Sequence, residues 1–176
     1  MEKTFVEKVG KIIKNKRAIE KSMGVSLKFS DEGITITSKK DDAYDEFIAK
    51  EMIEALEQGF TFESVIKLKN EDYMFQKINV KDLARPSRIK TIMGRLIGEK
   101  GRTKEIISEM TGCDVAIHDF SVSIIGNTDD VEIANQAIRS LIQGSPHASV
   151  YAYLERNRRL RKYKEEDYGL KEIKRK

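Results

Sequence analysis

Two glycines three residues apart, crowded by charge, carry the chemistry most readable in this sequence: Gly98-Glu99-Lys100-Gly101, followed by Arg102 and Lys104. A glycine at each end lets the backbone bend sharply. With no Cβ there, a phosphate chain can also come into contact with peptide N–H groups. Lys100, Arg102 and Lys104 surround the bend with positive charge. The flanking residues must position it. Ile92-Met93-Gly94-Arg95-Leu96-Ile97 is a short amphipathic run, and the stretch from Thr103 to Met110 has apolar residues at helical spacing that stop at Gly112. The expectation is a phosphate-gripping turn between two helices. Two glycines at this spacing also recur by chance, so the weight lies in what surrounds them.

The totals narrow the classes. Hydrophobic residues are 39% and charged residues 35% of 176, which describes a chain that forms a core beneath a heavily charged surface. No apolar run approaches the ~20 residues that span a bilayer. The start, Met1-Glu2-Lys3-Thr4-Phe5, has no signal-peptide core, so no membrane association and a cytoplasmic location are expected. The single Cys113 excludes an internal disulfide, and with two histidines it makes no zinc site. Cys113 reads as a small core residue, Asp129-Asp130 as a turn and helix cap, and His147 after Pro146 as a helix-start residue. No Ser/His/Asp, paired-carboxylate or Walker arrangement is present. The expectation is a non-enzyme with no catalytic residue, metal or cofactor.

The net charge of +4 is unevenly spread. Residues 88–110 hold six basic against three acidic residues, and residues 156–176 ten against four. Residues 41–63 hold eight acidic residues and one lysine. Such a chain attracts polyanions with some faces and repels them with another.

In chain order, Thr4-Phe5-Val6-Glu7 reads as a capping box. Apolar positions from Val9 to Met23 then give one or two helices ending at Gly24. Val25-Ser26-Leu27-Lys28-Phe29 and Ile34-Thr35-Ile36-Thr37 alternate as strands about a turn at 30–33. Asp41 or Asp42 caps a helix that closes at Gly59, and Thr61 caps another. Phe75, Ile78, Val80 and Leu83 suggest a strand with an irregularity near Lys77, and Ser87 is available as the next cap. From here the first half recurs. Val9-Gly10-Lys11-Ile12-Ile13 matches Met93-Gly94-Arg95-Leu96-Ile97, Ser22-Met23-Gly24-Val25 matches Met110-Thr111-Gly112-Cys113, and a helix through Ala134, Ala137, Ile138, Leu141 and Ile142 ends at Gly144 as its counterpart ends at Gly59.

A strand, two helices flanking GxxG, a hairpin and a closing helix is the order of a KH domain, which clamps about four nucleotides of single-stranded RNA. The expected fold is α+β, with two KH-like (type I) repeats, each a three-stranded antiparallel sheet packed on helices. The first copy, residues 1–69, reads Lys14-Asn15-Lys16-Arg17 in place of the GxxG and has no residues for an opening strand. It is expected to be truncated, with an incomplete sheet, no clamp and only auxiliary backbone contact. Residues 70–155 are the KH domain proper, and 156–176 a basic C-terminal helix or tail.

Gly94-Arg95-Leu96-Ile97-Gly98-Glu99-Lys100-Gly101-Arg102-Thr103-Lys104 resembles the G-R-I-x-G-x-x-G-K-T-K signature of one KH family. Leu141-Ile142-Gln143-Gly144-Ser145-Pro146-His147 with Val150-Tyr151 resembles the same family's L-I-x-G-x-P-x…V-Y ending. That family is the archaeal and eukaryotic Dim-two group, also called partner of Nob, of small-subunit ribosome assembly factors. The resemblance implies a protein resting on the 3′ end of the small-subunit rRNA precursor and assisting 3′-end maturation. The implied partners are the Nob-type endonuclease and the alpha subunit of translation initiation factor two.

In residue terms, the expected RNA-binding set is Arg88, Gly94, Arg95, Ile97, Gly98, Glu99, Lys100, Gly101, Arg102, Lys104, Val115, Ile117, Arg156 and Arg159. Ile97, Ile106 and Ile107 would form a helical wall, and the strand from Cys113 to Ile117 the other. Aromatic stacking is not expected, since Tyr and Phe are few in 88–119. Two rival readings stand beside this one. One is an adaptor docking a nuclease or initiation factor through its acidic helix. The other is a general KH module of RNA turnover.

Overall fold

The computed structural model describes residues 2–4, 9–30, 33–39 and 42–167. The expected capping partners Phe5, Val6 and Glu7, the hairpin residues Asp31 and Glu32, the alternative cap Asp41 and the tail 168–176 lie outside the described residues.

The first half runs β1 (Glu2–Thr4), α1 (Val9–Met23), β2 (Val25–Ser30), β3 (Gly33–Ser38) and α2 (Ala43–Glu57). A helical turn α3 (Phe62–Val65) leads into a 3-10 turn (Ile66–Lys69). Val25 and Leu27 of β2 alternate inward with Ile34 and Ile36 of β3. They meet Ile12, Ile19 and Met23 of α1 and Met52, Ile53 and Leu56 of α2 in one buried cluster. Asp42 caps α2 by accepting from the Tyr44 amide, and the Thr61 hydroxyl accepts from the Ser64 amide.

Two expectations for this half are corrected. An opening strand exists: Glu2, Lys3 and Thr4 pair antiparallel with Ile36, Thr35 and Ile34, so the sheet has three strands in the order β1-β3-β2. Three residues suffice because the free edge of β3 needs only a short partner to satisfy its backbone groups. The truncation falls elsewhere, for α1 is one uninterrupted helix where a helix–turn–helix would stand.

The second half runs β4 (Tyr73–Asn79), α4 (Val80–Leu83), α5 (Pro86–Ile97), a 3-10 turn (Glu99–Gly101) and α6 (Arg102–Thr111). It continues with β5 (Asp114–His118), β6 (Ser121–Asn127), α7 (Thr128–Gln143) and α8 (His147–Asp167). The sheet order is β4-β6-β5, antiparallel throughout. β4 is regular through Lys77, because Val80 and Leu83 leave the strand for α4. Ser87 is not a cap: Arg85 precedes the helix and Pro86 fills its first position, where a missing N–H costs nothing. Asn127, rather than Asp129 or Asp130, caps α7 by accepting from the Asp129 amide. α8 passes through residues 155 and 156 without a break, so the boundary drawn there falls inside one helix.

β6 is buried on both faces, and this couples the halves. Val122 and Ile124 face α5, α6 and α7 in the second core, whereas Ile125 and its cross-strand partner Phe75 belong to the first. Phe60 meets Phe75 edge-on at 6.4 Å between ring centroids. The Ser121 hydroxyl donates to Gln58 at 2.7 Å, and Lys67 pairs with Asp114 at 2.7 Å. The sheet face turned away from its own helices is thus covered by the end of α2 and by the turns that follow it. Ile125→Ala is therefore expected to cost roughly 2–5 kcal/mol, as for a fully packed core position. Urea unfolding checks this, and a loss below about 0.5 kcal/mol would show that the two halves do not share a core.

Candidate nucleic-acid interface

The bend between α5 and α6 is built as its residue types demand. The Gly98 amide donates to the Gly94 carbonyl at 2.9 Å, closing α5, and Gly98 itself has φ 74° and ψ 175°. A Cβ at this position would lie 2.3 Å from the Thr103 hydroxyl oxygen and 2.7 Å from the Thr103 amide nitrogen. Only glycine fits. Gly101, at φ 84°, has open space around its Cα, so conformation alone selects glycine there. Lys100 occupies the left-handed region at φ 52°. Thr103, the residue packed beneath the bend, is buried and shares a 3.1 Å hydrogen bond with the Tyr151 hydroxyl of α8. Glu99 and Lys100 are exposed, so the first half of the molecule does not cover the bend. Its position at the start of α6 places it on the positive end of a ten-residue helix.

Two cavities flank the bend. One, of about 540 Å³, is lined on α5 by Pro86, Ile89, Lys90, Met93 and Ile97, and opposite by Ile117, Asp119 and Phe120. The second, of about 580 Å³, lies between α6 and β5. Arg102, Lys104, Glu105, Ser108 and Glu109 line it on the helix, and Asp114, Val115 and Ala116 on the strand. Strand β5 borders both, so the two cavities lie along one strand as a groove, with Ile97 in one and Arg102 in the other on either side of the glycine turn. The basic turn suits phosphates, and the apolar α5 side suits bases.

Of the expected residues, Ile97, Gly98, Glu99, Lys100, Gly101, Arg102, Lys104, Val115 and Ile117 stand at the turn or along the groove. Gly94 is exposed on α5 and serves the turn through its carbonyl. Arg88 and Arg95, seven residues apart, lie on the face of α5 away from the groove. Their guanidinium nitrogens both sit 3.9 Å from where a Cβ on Gly144 would stand. Arg95 donates to the Ser145 carbonyl, and its own carbonyl is 3.0 Å from His147 Nε2. Arg95 therefore ties the α7–α8 connection to α5. Arg156 and Arg159 lie on the outward face of α8 with Tyr153, Leu160 and Tyr163, away from the groove.

The expected helical wall is also corrected. Ile107 is buried in the core beneath the groove and Ile106 lines neither cavity, because α6 turns its polar side toward β5. The apolar wall comes from α5 instead. An aromatic ring is present after all: Phe120, 43% exposed at the hairpin tip, carries the Lys81 ammonium 4.4 Å from its ring centroid. Phe120 lies one residue beyond the aromatic-poor stretch 88–119. Its placement after a strand, in the tight His118-Asp119-Phe120-Ser121 connection, was the available signal. Cys113 is buried, and burial pushes its thiol up to about 11, so that it rests protonated at neutral pH. Gly126 makes room for it: a Cβ there would lie 2.5 Å from the Cys113 sulfur.

A helix–GxxG–helix unit on a three-stranded antiparallel sheet, opened by a strand and closed by a helix, defines a type I KH domain. The family model for the second KH domain of PNO1, described as a eukaryotic type KH domain (KH-domain type I), matches residues 74–159. The chain belongs to the Dim2/PNO1 family of KH-domain proteins. It is 34% identical over 154 residues to a KH domain-containing protein of Methanocaldococcus jannaschii, covering 85% of this chain and 68% of that one. The crystal structure of Dim2p from Pyrococcus horikoshii superposes with a TM-score of 0.77 at 38% identity, covering 88% of this chain and 98% of that one. A second Pyrococcus horikoshii structure, a complex of a/eIF2alpha, aDim2p and rRNA, gives a TM-score of 0.76 at 38% identity, with 86% of each chain covered. The match to the pre-rRNA-processing protein pno1 of Schizosaccharomyces pombe, at 30% identity, spans 59% of this chain and 44% of that longer one.

Replacing Glu99 and Lys100 together by Asp takes the pair from net zero to −2 while leaving its conformation accessible, since Asp tolerates the left-handed region. The expected result is at least a tenfold loss of single-stranded RNA affinity with an unchanged melting temperature. Unaltered affinity would remove the turn from the binding surface. Gly98→Asp is a harsher variant, because its side chain must displace Thr103.

Proposed function

We propose that this chain binds the 3′-end region of precursor small-subunit rRNA through its second KH domain and assists maturation of that end. The observation that carries the reading is the uncovered glycine turn with a groove on both sides, in a chain of the Dim2/PNO1 family. The Pyrococcus complex of aDim2p with rRNA and a/eIF2alpha supports both an rRNA ligand and initiation factor two alpha as a partner. A Nob-type endonuclease is the further partner proposed, acting on the RNA that this chain holds. The proposed setting is cytoplasmic, and no described helix is long and apolar enough to cross a membrane.

The groove explains how the domain selects single strands. A duplex presents a continuous backbone but no splayed bases, whereas a strand laid over the turn can turn its bases onto Ile89, Met93, Ile97 and Ile117. Phe120 closes that side with a ring able to stack on a base, worth about 1–3 kcal/mol per base in comparable sites.

A second, compatible role in protein docking is favoured by one observation. Tyr44 and Phe47 are about half exposed on the acidic helix α2, remote in sequence from the turn.

Fluorescence anisotropy with a pyrimidine-rich RNA from the 3′ end of small-subunit rRNA and a scrambled RNA of equal composition tests the main role. The genuine end is expected to bind at least tenfold tighter, with both affinities falling as salt rises. Equal affinities would favour a general KH module of RNA turnover instead.

A further inference from the structure

We infer that the outward face of α8 is a docking stripe for an acidic amphipathic helix of a protein partner, separate from the RNA groove. Ser149, Tyr153, Arg156, Leu160 and Tyr163 follow one another at alternating steps of four and three residues. That spacing keeps them on one seam of the helix, of the kind along which two packed helices interlock. With Ala152 and Arg159 beside it, the seam lines a depression of about 700 Å³. Leu160 is 54% and Tyr163 71% exposed, so the apolar end of the stripe meets solvent.

The fold does not use this face. α8 packs inward through Val150 and Leu154, both buried in the second core. The Tyr151 hydroxyl shares its hydrogen bond with Thr103. Arg161 donates to the Thr111 and Met110 carbonyls at the end of α6 and to the Asp130 carboxylate. The helix is thus fastened from behind at both Tyr151 and Arg161, and the stripe is presented on a helix already formed. A partner meets it without the cost of ordering it.

The charges choose the occupant. Residues 149–163 hold five basic residues and one acidic, Glu155, which already pairs with Arg159 at 3.3 Å. Arg156 stands within the seam itself, between Tyr153 and Leu160. A guanidinium covered there by a second helix needs a carboxylate opposite, since a buried charge left unpaired is costly. The occupant that fits therefore carries apolar residues at heptad spacing with Asp or Glu beside them. RNA fits less well, because Leu160, exposed between Arg156 and Tyr163, offers a base no stacking and a phosphate no donor. The stripe also gives a use to Arg156 and Arg159, basic residues that the groove leaves out.

The test uses the full chain and two fluorescein-labelled three-heptad peptides with Leu at both seam positions, one with Glu and one with Lys at the positions flanking the seam. Like charges on each peptide oppose its own pairing. By anisotropy the acidic peptide is expected to bind at least tenfold tighter than the basic one, and equally well when single-stranded RNA is present. Leu160→Asp, a change at an exposed position, is expected to weaken the acidic peptide at least tenfold with RNA affinity and melting temperature unchanged. Arg156→Glu, an independent variant, is expected to bring the basic peptide level with the acidic one or above it. Equal affinity of wild type for the two peptides, binding that Leu160→Asp leaves untouched, or a preference that survives Arg156→Glu would each overturn the proposal. A tenfold loss of RNA affinity in Leu160→Asp would overturn it in favour of RNA on this face. A dimer in sedimentation that the same variant dissolves would overturn it in favour of a second copy of this chain.

Discussion

Position 98 has no room for a carbon atom beyond Cα, because Thr103 approaches from the first turn of the next helix. That contact lets α5 end and α6 begin within four residues, and the bend then projects outward on the positive end of α6. Thr103 is itself held by Tyr151, so α8 steadies the bend from behind while leaving its outer side to solvent. The groove follows from the same constraint. With the two helices pinned at this angle, α5 offers an apolar side and α6 a polar one along a single strand, β5.

Comparison of the two halves shows what four residues do. Ile13 to Met23 is four residues shorter than the matching stretch from Ile97 to Thr111, the length of the GxxG itself. Without the bend the two helical segments run together as α1. The first half keeps its sheet and its closing helix and uses them differently. Its α2 end and the turns after it cover the sheet face that β6 turns away from its own helices, through Phe60, Val65 and Leu68 on one side and Phe75 and Ile125 on the other. The first half thus packs against the sheet of the second.

Much of this was legible in the residues. The glycine spacing, the helix stops at Gly112 and Gly144 and the strand alternation around Val25 and Ile34 each reflect local backbone preferences that act wherever the chain goes. The parts that escaped depend on long-range packing. Three residues at the N-terminus carry too little pattern to announce a strand, and β1 forms only because β3 presents an open edge. Arg95 looked like a phosphate ligand because its type and position permit it, and only the packing of the Gly144–Pro146 connection against α5 shows it otherwise engaged. Ile107 fitted an apolar wall by helical spacing. The same spacing also places it in the core, and the sheet beneath α6 decides between the two.

The central claim is that nucleotides lie over the glycine turn and along β5. Backbone amide shifts recorded by NMR while single-stranded RNA is added test it directly. The largest changes are expected at residues 97–104 and 115–120, with Arg88, Arg95, Arg156 and Arg159 nearly still. Shifts concentrated on the outward face of α8, with the turn unmoved, would contradict the account.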